Sequence, residues 1–121
     1  MRYMAPEVAL GYDYDPNCDI YSYAIVCWEL WTQSLPYAKL TPDMYHEYVC
    51  HRGYRPNNDE ELQQQVVLLP PHEVSSLLTK AWSHIPSSRC RWPILQQQLS
   101  LFKTLEELRS EEQELLSQYD E

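Results

Sequence analysis

Residues 18–33 read C-D-I-Y-S-Y-A-I-V-C-W-E-L-W-T-Q, and on a helical wheel apolar or aromatic side chains fall on nearly every side. A helix that is apolar all round belongs inside a domain, not on its surface. This stretch therefore sets the fold, because other helices must gather around it. Asn17 or Asp19 is placed to cap its start, and Pro36 closes the loop beyond its end. Ile20, Tyr23, Ile25, Val26, Trp28 and Trp31 point to different sides of the helix. The remaining helices cannot cover them all at once, so an exposed apolar patch, and with it self-association, is expected.

Working outward, prolines at 6, 16, 36, 42, 56, 70, 71, 86 and 93 divide the chain into runs of helical length. Thr41 and Pro42 start a tyrosine-rich helix over about 43–51, which Gly53 and Pro56 terminate. Residues 71–83 carry Val74, Leu77, Leu78, Ala81 and Trp82 at spacings of three and four, one buried stripe that Pro86 ends. A fourth helix spans 92–102, with Ile94, Leu95, Leu99 and Phe102 apolar. Leu101, Leu105, Leu108, Glu112, Leu115 and Tyr119 then step by four and three as in a coiled-coil seam, with Glu112 interrupting. A solvated acidic helix that extends the fourth one is the preferred reading. The expected class is all-α, in two parts: 1–100, and an acidic helical tail over 101–121.

The chain of 121 residues has room for one small domain. Its formal charge of -9 repels nucleic acid and anionic membranes. That charge is uneven, since Lys103 to Glu121 holds -5 of it. No apolar run reaches membrane length, and no signal peptide opens the chain, so an intracellular, cytoplasmic protein is expected. Cys18, Cys27, Cys50 and Cys90 are widely spaced and read as reduced thiols. His46 and Cys50 sit four apart with His51 nearby, too few donors for a metal site. The rings of Tyr12, Tyr21, Tyr23, Tyr37 and Tyr45 are expected to fill gaps between helices. Gln63 to Gln65 and Gln96 to Gln98 read as exposed surface. With glycine only at 11 and 53, no glycine-rich phosphate loop can be written.

In order along the chain stand R-Y-M-A-P-E at 2–7, D-I-Y-S-Y-A at 19–24, W-E-L-W-T at 28–32, P-Y at 36–37, Y-R-P at 54–56 and W-S-H-I-P-S-S-R at 82–89. Together these resemble the lower half of the C-terminal lobe of a eukaryotic protein kinase, whose complete fold is two-lobed and α+β. R-Y-M-A-P-E-V-A-L with Y-S-Y-A and W-E-L-W resembles the tyrosine-kinase-like group, most of which phosphorylates serine and threonine. The resemblance implies that Glu7 and Arg89 form a buried ion pair tying the activation segment to the late helices. It places Trp82 with them as a structural residue, and Tyr3 and Met4 in the surface that receives the substrate residue after the phosphorylation site. Asp19 would bond the catalytic loop in a complete kinase; here a plain helix cap is its expected role. Departures from the family pattern fall at Ala24, Ile85 and Cys90, of which Ile85, standing where an acid usually precedes the proline, removes a capping carboxylate.

Missing are G-x-G-x-x-G, the V-A-I-K lysine, H-R-D-x-x-x-x-N and D-F-G. No catalytic, cofactor-binding or metal-binding residue is therefore assigned; ATP and magnesium belong to the complete family. The expectation is a piece of a kinase, with Met1 at an interior position of a longer sequence and a protein as substrate or partner. The alternative is a non-catalytic helical interaction module derived from a kinase lobe.

Overall fold

The computed structural model describes residues 1–58 and 69–119. Gln63 to Gln65 lie outside the described residues, as do the side chains at 102, 105 and 119 that the seam pattern used. Every described element is helical. Helix α1 covers Pro6–Ala9, α2 covers Asn17–Thr32, and α3 covers Pro42–Met44 and widens into a π-helix over Tyr45–His51. After a 3-10 turn at Pro56–Asn58 come α4, His72–Ala81, a second 3-10 turn at Pro86–Ser88, and α5, Trp92–Tyr119. Two compact units result, Met1–Arg91 and Trp92–Glu121.

In the first unit α2 is the centre. Ile20, Tyr21, Ala24, Ile25 and Trp28 are buried, and α4 packs against the helix with buried Val74, Leu78 and Ala81, followed by buried Trp82. Removing side chains of this size from water stabilises the fold by about 1.5–3 kcal/mol each. A second cluster forms where α1 meets the π-helix. There Tyr37, Tyr45, Val49 and Cys50 are buried, with Ala9, Leu10, Leu40 and Tyr54 against them. Tyr37 and Tyr45 meet edge to face at 5.5 Å.

Several local expectations need correction. The cap of α2 is neither Asn17 nor Asp19. Pro16 already has helical angles (φ -59, ψ -13), so the helix starts earlier, and the Asp15 carboxylate accepts the Asn17 N–H at 2.8 Å. Asp19 is left exposed in the first turn, where its charge still suits the helix N-terminus. Tyr12 does not fill a gap. Gly11, at φ +75, turns the chain outward and leaves Tyr12 63% exposed, and Tyr23 is also at the surface. The π geometry was not expected either; its i→i+5 bonding widens the turn. Helix α4 stops at Ala81 rather than Ser83. The acidic stretch extends the fourth helix as expected, α5 running unbroken over Trp92–Tyr119. As expected, Thr41 caps α3, its Oγ1 accepting the Met44 N–H at 3.3 Å.

Candidate functional site

The candidate site is the opening loop and the three side chains that hold it. Ala5 is extended (φ -63, ψ 148), and Pro6 starts α1, whose first turn carries Glu7. Arg89 leaves the second 3-10 turn in extended backbone. Its Nη1 donates to Glu7 Oε1 at 2.6 Å and its Nη2 to Oε2 at 3.0 Å, a two-pronged pair 82 residues apart in sequence. The Arg89 side chain is 0% exposed and that of Glu7 is 11%. Arg89 also donates from Nη1 to the Asn17 carbonyl at 3.0 Å and from Nε to the Ser83 carbonyl at 2.8 Å. The guanidinium is thereby satisfied on several sides, which a buried charge requires. Burial on its own would raise the Glu7 carboxyl, but the Arg89 hydrogen bonds, a backbone N–H and the Arg89 charge together hold it below the ordinary carboxylate range.

The two residues expected to meet substrate are fixed from other elements. Tyr3 donates its hydroxyl to the Glu29 carboxylate of α2, 2.8 Å from both oxygens. That bond, then burial and the Glu29 charge, raise the Tyr3 hydroxyl pKa. Tyr45, from the π-helix, donates to the Met4 carbonyl at 2.7 Å. Met4 keeps its side chain exposed while its backbone is held. Beside them Met1, Arg2, Tyr37, Leu40, Thr41, Pro42 and Tyr45 line a shallow hollow of about 220 Å³.

Glu29 and Tyr45 were not singled out in the sequence as anchors of this loop, and neither was Arg55. Arg55 is buried and donates to the carbonyls of Trp82 and Tyr54, each at 2.8 Å. Its guanidinium lies over the Tyr21 ring at 4.9 Å, and that of Arg89 lies over the same ring at 5.1 Å. Desolvated cation–π contacts of this kind contribute about 2 kcal/mol. Trp82 is buried and passes its carbonyl to Arg55, while Asp19 stands apart from the loop at the start of α2.

Among the described residues, no three His, Cys, Asp or Glu side chains converge to hold a metal ion. The acids near the loop are committed, Glu7 to Arg89 and Glu29 to Tyr3. These residues do not fit magnesium or ATP phosphates, and no chemical step passes through either group here. What the arrangement does is hold a short backbone segment in a fixed shape with one face open.

A model of the protein tyrosine and serine/threonine kinase family matches residues 1–99. The chain is 40% identical over 88 residues to serine/threonine-protein kinase STY17 of Arabidopsis thaliana, covering 73% of this chain and 14% of that protein. It is 34% identical over 88 residues to human mitogen-activated protein kinase kinase kinase 7, covering 72% of this chain and 13% of that protein. Over 93 residues it is 34% identical to the dual specificity protein kinase shkB of Dictyostelium discoideum, covering 72% of this chain and 12% of that protein. The chain thus spans about one-seventh of the length of the curated relatives it matches. With the all-helical core, the ordered motifs and a family match over 1–99, the chain belongs to the protein kinase family and carries part of its helical C-lobe, in agreement with the tyrosine-kinase-like branch.

Proposed function

We propose that residues 1–100 are the substrate-docking and loop-anchoring part of a kinase that transfers the ATP γ-phosphoryl group to serine or threonine in proteins, with 101–121 a helical tail. The observation that supports this reading is the triple tether of the opening loop, Tyr3 to Glu29, Met4 to Tyr45 and Glu7 to Arg89. In this reading Tyr3 and Met4 form the surface for the substrate residue that follows the phosphorylated one. The Glu7 and Arg89 pair, Trp82 and Asp19 keep that surface in place or join it to the rest of the catalytic domain. The name of the plant relative supports serine/threonine chemistry, and the free thiols suit an intracellular, cytoplasmic protein.

The isolated chain has neither the phosphate-holding loop nor the catalytic aspartates, so it is expected to show no ATP binding by calorimetry and no phosphotransfer. Docking is tested by exchanging residues 1–99 for the matching segment of the Arabidopsis relative and assaying the chimera on serine and threonine peptides varied at the following position. An active chimera should change its preference there by severalfold in Tyr3→Ala and Met4→Ala variants, with the KM for ATP unchanged. An active chimera whose preference ignores both changes would overturn the docking role.

A further inference from the structure

We infer that one face of α5 is the seat for a basic, leucine-bearing helix of another protein. The inference does not depend on the kinase reading of 1–100, because it rests on α5 alone. Ile94, Leu101, Leu108 and Leu115 recur every seven residues along one unbroken helix, Trp92–Tyr119. The three leucines are 55%, 55% and 57% exposed, and they form a stripe about 21 Å long at 1.5 Å per residue. Solvated helices tolerate scattered leucines, but a seven-residue repeat on one face is the pattern of a seam.

The charges around this stripe identify the occupant. Glu112 lies four residues after Leu108 and three before Leu115, and so stands in the seam itself. Glu107, Glu111 and Glu114 line one flank. Of the nearby bases, Arg109 is bonded to Glu106 at 3.2 Å, which leaves the seam acidic. A second copy of this chain fits poorly: in a parallel pair Glu112 would meet its own copy. A helix with leucines at its own seam positions, one lysine or arginine opposite Glu112 and a basic flank facing Glu107, Glu111 and Glu114 satisfies every one of these features.

The test uses the full 121-residue chain and three synthetic peptides of about 28 residues. The first has a leucine heptad seam with a lysine placed to face Glu112 and lysine flanks. The second has glutamate in place of that seam lysine. The third has the composition of the first with its leucines moved off the seam. The first peptide should bind at least tenfold tighter than either of the others, Glu112→Lys should reverse the preference between the first two, and Leu108→Glu should abolish binding. Leu108 is exposed, so the variant keeps its helical circular dichroism. Equal binding of the first and third peptides would reduce the effect to charge attraction and overturn the proposal. So would a chain dimer that Leu108→Glu dissolves, or a failure of all three peptides to bind.

Discussion

Arg89 joins three elements: the opening loop through Glu7, the start of α2 through the Asn17 carbonyl, and the segment after α4 through the Ser83 carbonyl. Removing one member of such a pair strands the other charge, at a cost of about 3–5 kcal/mol. Arg89→Met should therefore melt the first unit or sharply lower its urea midpoint, and adding Glu7→Gln should recover part of the loss. An unchanged midpoint in Arg89→Met would mean that the pair contributes nothing. Acid should act through the same residue. Because the Glu7 carboxyl is held below its ordinary range in the fold, its contribution is complete above the unfolded value of about 4.3 and is lost as pH falls through the folded one. Between pH 6 and pH 3 the chain should lose more stability than Glu7→Gln does; parallel curves would remove Glu7 from the account. The sequence disclosed this pair through A-P-E and the late arginine, which are separately recognisable. Arg55 was harder to see, because its bonds run to carbonyl oxygens, and any residue type offers a carbonyl. Glu29 sat inside a quoted motif, but its tyrosine partner lies 26 positions away with no spacing rule to link them.

At the scale of elements, α2 was legible because a 16-residue run rich in apolar and aromatic side chains between prolines has few other readings. The widened helix was not. Tyr45, Val49 and Cys50 are its buried residues, and spacings of four and one fit an α-helix and a π-helix about equally well in sequence. The start of this element rests on one side-chain bond, from the Met44 N–H to Thr41. Thr41→Ala should cost about 0.5–2 kcal/mol in urea unfolding, while Thr41→Ser should stay close to the parent. Its end rests on Gly53 at φ +73, where an added Cβ would meet nothing within 4 Å. Gly53→Ala should therefore lose only the backbone term of about 1–2 kcal/mol. A larger loss would imply a clash that the surrounding space does not predict.

For the whole molecule, the sequence-based expectation that α2 cannot be covered on all sides has a definite location. Tyr23, Val26 and Leu30 lie on one side of the helix and are exposed, Leu30 by 64%. We expect the isolated chain to bind a hydrophobic dye and to associate in a concentration-dependent way through this face, and Leu30→Glu to suppress both. Sedimentation at several concentrations checks it, and a clean monomer without dye binding would contradict it. The tethers of the opening loop also carry a consequence for biosynthesis. On the ribosome the arginine that neutralises Glu7 emerges 82 residues after it, roughly 4–16 s at 5–20 residues per second. Tyr3 waits 26 positions for its acceptor, and the Met4 carbonyl waits 41 for its donor. The opening loop is thus fastened only after the elements that hold it have been made, and throughout that interval the nascent chain displays aromatic and acidic groups that the finished protein keeps to itself.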